Sequence, residues 1–176
     1  MNEAINAHRK MLLRWRGAMD LVGPGPVEPH FEDALGSVAG LGAEGEWADL
    51  GSGAGFPGIA LAACWPACRV FLVESRQKRA VFLRRVVAEA GLRNATVLQQ
   101  RTETLDRLFD GVISRAYKPP AEYLSDAADL CKPGGTAVLL AGGEAEPAIE
   151  GPWTLESRDI YPVDGGTRSR WLLRRR

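Results

Sequence analysis

The sequence predicts a doubly wound α/β fold with a mostly parallel sheet, preceded by a short helical segment and followed by an antiparallel hairpin. From Glu46 onward, short apolar runs alternate with helical patterns. Strands separated by helices pair in parallel through right-handed crossovers. After Leu140 the alternation stops, and two further runs flank a Gly-Gly turn. The composition, 176 residues with 45% apolar and 25% charged side chains, is typical of a globular chain with its own core.

The N-terminal segment, residues 1–40, is expected to be a helical extension that packs on a main domain of residues 41–176. Its two predicted helices cover residues 3–19 and 29–40. A Gly-Pro-Gly-Pro stretch at 23–26 separates them, because glycine and proline interrupt helices. We expect the main domain to be one compact unit.

The main domain is expected to contain five parallel strands with their connecting helices. The clearest helix covers residues 77–90, where Val81, Phe82 and Val86 recur at three- and four-residue steps and Gly91 stands at the C-cap position. The predicted strands cover residues 47–50, 70–73, 95–98, 111–113 and 136–140. The other predicted helices cover residues 57–65 and 121–131, with a shorter candidate at 103–108. The two strands of the terminal hairpin are predicted at residues 153–163 and 169–173.

Basic and acidic side chains are equal in number, 22 each, but they are distributed in blocks along the chain. Residues 21–68 contain six acids and no Lys or Arg, whereas residues 69–101 contain eight basic side chains and two acids. Further basic groups lie at 9–16 and 168–176. If these blocks meet in space, they form a surface for a polyanionic partner. Otherwise they are a solvated helix face and a basic tail.

Neither a membrane segment nor a metal site is predicted. No window approaches the ~18 apolar residues that a span requires, and the N-terminus lacks the apolar core and cleavage site of a signal peptide. A cytoplasmic location is therefore expected. Cys64, Cys68 and Cys131 form an odd set and the two histidines, His8 and His30, are far apart, which favours buried thiols over metal ligands.

The strongest local motif is the glycine-rich stretch from Asp49 to Gly58, between a predicted strand and a predicted helix. Its alternating glycines, Gly51, Gly53 and Gly55, allow the backbone to turn sharply and to approach a ligand closely. In a doubly wound sheet this first loop lies at the ligand crevice.

Two ligands compete for this loop. A dinucleotide would place its pyrophosphate at the helix N-terminus, but the G-x-G-x-x-G fingerprint is met only loosely, at residues 53–58. The D-x-G-x-G-x-G order instead looks like the first motif of S-adenosylmethionine-dependent methyltransferases of the Rossmann-like class I type. Asp49 would then face the cationic methionyl end of the ligand. Its negative charge would oppose a pyrophosphate, and this favours adenosylmethionine.

A second acid, Glu74, ends the next predicted strand. A carboxylate at this position can accept hydrogen bonds from both ribose hydroxyls of either ligand. The alternative is a surface carboxylate that pairs with Lys78, four residues further along the chain.

Several longer motifs resemble the bacterial RsmG (GidB) family, which methylates N7 of a guanosine in 16S ribosomal RNA. They are DLGSGAGFPGIALA, VESRQKRAVFLRRV, NATVLQQRTE and GVISRAYKPP, within residues 30–140. The resemblance implies that Gly51 and Phe56 line the adenosylmethionine pocket with Glu74 on the ribose. It also implies that Thr102 and Glu103 border the adenine. The alternative for this pair is a helix N-cap with a first-turn acid.

The resemblance also implies a catalytic position for Arg115, where cofactor and target base meet, although an ordinary loop arginine is the alternative. His30 and Asp33 match the H-x-x-D pattern of a family helix, and a helix N-terminus would also explain the acid. The implied partner is 16S ribosomal RNA or the 30S subunit, with the protein as a monomer.

The sequence departs from the family pattern away from the cofactor motifs. Arg16 and Asp20 stand where the family has asparagines, and Ala141-Gly142 replaces a Lys-Gly pair. Residues 142–152 are too few for a full crossover helix, because parallel crossovers need about a dozen residues or more. These departures leave open a methyltransferase of the same fold that acts on a small molecule or another RNA, or a non-catalytic RNA-binding assembly protein.

The chemistry expected of the family suits this sequence, which has no conspicuous acid/base pair in its loops. Guanine N7 is an unprotonated acceptor, so it can attack a sulfonium methyl group without a general base. Catalysis then consists of aligning N7, the methyl carbon and sulfur.

Overall fold

The computed structural model describes residues 2–142 and 146–176. Five helices precede or connect the strands: α1 (Glu3–Trp15), α2 (Glu28–Val38), α3 (Gly58–Cys64), α4 (Gln77–Glu89) and α5 (Pro120–Leu130). The strands are β1 (Glu46–Leu50), β2 (Arg69–Val73), β3 (Ala95–Leu98), β4 (Phe109–Ser114), β5 (Cys131–Gly142), β6 (Trp153–Val163) and β7 (Gly166–Arg175).

The strands form one seven-stranded sheet in the order β3-β2-β1-β4-β5-β7-β6. The first five are parallel, β7 is antiparallel to β5, and β6 is antiparallel to β7. The doubly wound fold and its C-terminal hairpin are therefore confirmed. The strand order reverses between β1 and β4, and ligands of such sheets bind at the carboxyl ends of the strands beside this reversal.

Two apolar clusters cover the two faces of the sheet. One contains buried side chains of α1, α2, α3 and α4, including Leu12, Phe31 and Phe82. The other lies under α5 and includes Tyr123 and Trp153. Both N-terminal helices contribute to the first cluster: α1 packs on α3 and α4, and α2 packs on α3 and β6. The boundary at residue 40 stays a prediction.

Three predicted segments differ most from the structure. α1 ends at Trp15 instead of residue 19, and Gly17 follows it in a turn. The short helix predicted at 103–108 is a single 3₁₀ turn, Thr102–Thr104, because Leu105 is already extended and β4 begins at Phe109. β5 starts directly at the end of α5, five residues before the predicted start at 136.

The connection between β5 and β6 is short, as predicted. Its described part, residues 146–152, contains no helix, and residues 143–145 lie outside the described residues. Among the helices of the described ranges, none combines the length and the apolar character needed to cross a bilayer.

Candidate active site

A cavity of about 380 Å³ opens at the carboxyl ends of β1, β2, β3 and β4. This first cavity is lined by residues that directly follow these strands, including Gly51, Glu74, Thr102, Glu103 and Tyr117. Basic side chains stand around its wall: Arg76, Arg79, Arg101 and Lys118. The volume lies within the range of small-molecule sites in proteins.

The glycine loop joins β1 to α3 along one side of the first cavity. Gly51, Gly53 and Gly55 have φ angles of +69°, +54° and +94°, a region that side chains with a Cβ rarely adopt. Glu74 holds this loop from β2: one carboxylate oxygen accepts the Gly53 N–H at 3.0 Å, and the other accepts the Arg76 N–H at 2.7 Å. Glu74 is buried, and none of the ion pairs among the described residues joins it to Lys78.

Asp49 lies beneath the loop rather than on the wall of the first cavity. Its Oδ2 accepts the N–H of Gly58 at 3.0 Å, and Oδ1 has no hydrogen-bond partner among the described residues. Burial raises the pKa of Asp49 to about 7. A Cβ at Gly58 would lie 2.5 Å from Asp49 Oδ2, so this glycine is required for the contact. Asp49 thus fixes the first turn of α3 to β1.

The loops after β3 and β4 meet across the first cavity. Lys118 Nζ lies 3.2 Å from Glu103 and 2.7 Å from Asp126, and the Tyr117 hydroxyl donates to the same Asp126 carboxylate at 3.0 Å. The Tyr117 ring packs on Gly51, where a Cβ would come within 2.5 Å of it. Sequence reasoning missed Tyr117 and Lys118. Both residues closely follow Arg115 at the carboxyl end of β4, where the strand reaches the crevice. This position in the sequence could have indicated them as site residues.

A second cavity, of about 440 Å³, lies beside the first, and Ala116 lines both. Its wall combines Asp33 from α2 and Arg115 with Asp164 and Arg168 from the β6–β7 hairpin. Ala116 has a φ of +55°, the single positive value among the described residues other than glycine. This backbone turn lies between Arg115, on the second cavity, and Tyr117, on the first.

Arg115 is held on several sides. Its guanidinium lies 3.1 Å from Asp33 Oδ2 and 4.6 Å from the centre of the Phe56 ring, and it donates to the His30 carbonyl at 3.4 Å. Phe56 is buried against His8 and Phe31 and is not on the wall of the first cavity. The side chain predicted for the cofactor pocket therefore packs under the arginine predicted for catalysis.

α1 supports the glycine loop from outside the sheet. His8 is 1% exposed, and its Nε2 lies 2.7 Å from the carbonyl oxygen of Ala54. Burial lowers the pKa of His8 to about 4, so the ring is neutral at pH 7 and donates from Nε2. Gly55 packs against this ring, because a Cβ there would come within 3.2 Å of it.

The N-terminal basic block meets part of the second block in the fold, whereas the C-terminal block is divided. Lys10, Arg14 and Arg85 line grooves between α1 and α4, and we call this surface the α1–α4 face. Arg168 pairs in register with Gly142 at the crevice end of β5, whereas Arg174 pairs with Thr136 at the opposite end. The basic residues that were predicted as a C-terminal tail therefore lie near both ends of β7.

The three cysteines are free thiols. Cys68 and Cys131 are buried, as predicted, but Cys64 is exposed because it ends α3 at the surface. Within residues 2–142 and 146–176, no group of three or more His, Cys, Asp and Glu side chains could hold a metal ion.

Solved structures share this fold at low sequence identity. A putative O-methyltransferase from Klebsiella pneumoniae has a TM-score of 0.68 and 16% identity, over 96% of this chain and 89% of that one. M. jannaschii TYW2 in complex with AdoMet has a TM-score of 0.69 and 13% identity, over 90% of this chain and 81% of that one. This chain therefore has the Rossmann-like fold of these proteins, with a glycine loop after β1 and an acid after β2 at the edge of the sheet where ligands bind.

The sequence comparisons identify the family within this class. A family model of rRNA small subunit methyltransferase G (GidB) matches residues 1–154. A ribosomal RNA small subunit methyltransferase G from Nitratidesulfovibrio vulgaris is 36% identical, over 99% of this chain and 85% of the relative. One from Paracoccus denitrificans is 35% identical, over 80% and 76%. The chain belongs to this family. The predictions of the family, the adenosylmethionine cofactor and a methyltransferase activity are confirmed.

Proposed function

We propose that this protein transfers the methyl group of S-adenosylmethionine to N7 of a guanosine in 16S ribosomal RNA. In this proposal the cofactor occupies the first cavity and the target base the second. The observation that carries it is the junction at Ala116, where the two cavities meet beside Arg115. The relatives are named as ribosomal RNA small subunit methyltransferases, which supports this RNA as the substrate. Such a substrate implies action in the cytoplasm, and we expect a monomer.

The cofactor would be held by the residues that end the first three strands. The backbone at Gly51, the loop glycine on the wall of the first cavity, allows close approach, and Glu74 would accept from the ribose hydroxyls. Its carboxylate already accepts two backbone N–H groups, but a carboxylate has about four acceptor sites, so two remain for the ribose. Thr102 and Glu103 would border the adenine.

Asp49 would act on the cofactor through the loop and through its charge. It holds Gly58 at the start of α3, and its second oxygen has no hydrogen-bond partner among the described residues. Burial raises its pKa to about 7, and a cationic methionyl group nearby would favour the ionised form. The cofactor supplies an electrophilic methyl group on a sulfonium.

The transfer needs no proton to be removed from the base. The N7 lone pair would form the new N–C bond as the C–S bond of the bound cofactor breaks, and the C–S electron pair would stay on sulfur, which becomes a neutral thioether. The base then carries the positive charge. Arg115 would donate to guanine O6, the acceptor next to N7, and leave N7 free to attack. Its task is to align the base, which is why a fixed side chain is needed at this position.

The RNA backbone would be held by basic groups on the α1–α4 face and around the first cavity. The α1–α4 face presents Lys10 and Arg14, which have no ion-pair partner among the described residues, and Arg76, Arg79 and Arg101 stand around the first cavity. Such side chains bind phosphate without reading sequence.

Methyl transfer from labelled adenosylmethionine tests the proposal directly. The acceptors are 30S subunits that lack the modification, naked 16S ribosomal RNA, and a panel of small metabolites. We expect label in the RNA, released by nuclease digestion as 7-methylguanosine and identified by mass spectrometry. Label in a different nucleoside or in a small metabolite, or no transfer to any acceptor, contradicts the proposal.

A further inference from the structure

Asp33 connects three distant parts of the chain at the second cavity. It lies on α2, and its side chain is only 9% exposed. Oδ2 faces Arg115 at 3.1 Å, while Oδ1 accepts the hydroxyl of Tyr161 at 2.9 Å. Arg168 Nε lies 4.0 Å from Oδ2. Both carboxylate oxygens are therefore engaged, one by the β4 loop and the other by the C-terminal hairpin.

Tyr161 is fixed on the other side by α2. Its ring packs on Gly36, where a Cβ would lie 2.5 Å from the ring. Burial and the neighbouring Asp33 raise the pKa of the Tyr161 phenol, so it remains a hydrogen-bond donor at neutral pH. The hydroxyl thus holds the Asp33 carboxylate in one orientation.

We propose that Asp33 and Tyr161 are positioning residues for Arg115, with the C-terminal hairpin as a working part of the active site. The inference rests on the proposed function, because it takes Arg115 as the group that aligns the target base. Phe56 supports the guanidinium from below, and Asp33 sets its direction across the mouth of the second cavity. Without Tyr161, the carboxylate can rotate about its last bond and take the guanidinium with it.

Tyr161→Phe tests the inference with the smallest change. It removes the hydroxyl and keeps the ring on Gly36. We expect kcat on the 30S subunit to fall about tenfold, the order expected when a hydrogen bond to a charged group is removed. The cofactor Kd and the KM for RNA should stay within about twofold of wild type, because phosphate contacts and the first cavity are untouched.

His30 provides a spectroscopic readout of the Arg115 position. Burial lowers the pKa of His30 first, the Arg115 and Arg168 charges lower it further, and Asp33 raises it. Tyr161→Phe changes no charge, so displacement of Arg115 from its place should raise the His30 pKa in an NMR titration. His8 is the only other histidine in the sequence, and its pKa of about 4 keeps the two titrations apart.

Tyr123→Phe is the matched control. Its hydroxyl is buried under α5 and donates to the Val112 and Val138 carbonyls, remote from Asp33. It should lower the melting temperature without changing kcat or the His30 titration. Asp33→Asn, which removes the charge that faces Arg115, should lower kcat further than Tyr161→Phe.

The outcomes separate this inference from the proposed function. If wild type methylates 30S subunits and Tyr161→Phe matches it in kcat and in the His30 pKa, the positioning role is refuted. A loss of kcat that Tyr123→Phe shows to the same extent, in proportion to a loss of folded protein, refutes it as well. If wild type methylates no RNA but Tyr161→Phe still shifts the His30 titration, the proposed function fails while the mechanical link between Tyr161 and Arg115 stands.

Discussion

The two cavities differ in the way that the chain builds their walls. The first is made by loops that directly follow β1 to β4, and Glu74 binds Gly53 only 21 residues away. The second joins α2, the β4 loop and the hairpin, and its key contacts span 82 residues, from Asp33 to Arg115, and 128 residues, from Asp33 to Tyr161. In the proposed function, cofactor binding would therefore be encoded in local motifs, whereas the substrate side would depend on how distant elements pack.

The largest effect is expected from a change in the glycine loop beside the first cavity. Gly53→Val places a β-branched residue at a φ of +54°, beside the N–H that Glu74 holds. We expect no adenosylmethionine binding in calorimetry, because the loop must change its path. Gly134→Val is the control, since Gly134 has a φ of +74° and open space around it. Both should lose about 1 to 2 kcal/mol of stability from the left-handed backbone. Normal cofactor affinity in Gly53→Val would contradict the proposal that the glycine loop forms the cofactor site.

Arg115→Lys tests the second cavity, whose wall joins parts of the chain that are distant in sequence. Lysine keeps a positive charge beside Asp33, so the buried carboxylate stays paired, but it lacks the planar fork of donors. We expect kcat for RNA methylation to fall about 100-fold, the size of effect that misplaced reacting groups cause. Cofactor Kd from calorimetry and RNA Kd from filter binding should hardly change. A loss of cofactor affinity as large as the loss of kcat would mean that Arg115 serves the first cavity instead.

Glu74→Gln measures how much the Glu74 carboxylate contributes to cofactor binding in the first cavity. The amide keeps the size of the side chain but loses the charge that strengthens hydrogen bonds from ribose. We expect cofactor binding to weaken by about 1 to 3 kcal/mol in calorimetry. Glu122→Gln, an exposed acid on α5, is the control. If the two variants bind the cofactor equally well, Glu74 serves only to hold the loop.

The smallest effect should distinguish the two basic surfaces. Lys10→Gln with Arg14→Gln removes two charges from the α1–α4 face, and Arg174→Gln with Arg176→Gln removes two from the opposite end of the sheet. We expect the first pair to flatten the salt dependence of RNA binding by a slope of about 0.7 for each phosphate that is no longer bound. The second pair should leave that slope unchanged, because Arg174 and Arg176 already bond Glu156 and the Gly151 carbonyl. Equal slopes for both double variants would rule out the α1–α4 face.

Much of the fold could be predicted because its signals are local. The apolar period of α4 and the glycine after it depend only on neighbouring residues, and α4 was predicted to within one residue at its C-terminal end. The 3₁₀ turn at Thr102–Thr104 could not be predicted from its own residues, since the start of β4 decides how much chain is left for a helix.

For the site, the sequence by itself determined the glycine loop, the acid after β2 and the family, because each is a run of adjacent residues with one backbone requirement. Only the tertiary structure decided that Asp49 and Phe56 lie under the site, that Tyr117 covers Gly51, and that Asp33 meets Tyr161. A contact between side chains more than 80 residues apart leaves no pattern in either segment. It exists because β7 pairs with β5 and carries the hairpin back over α2.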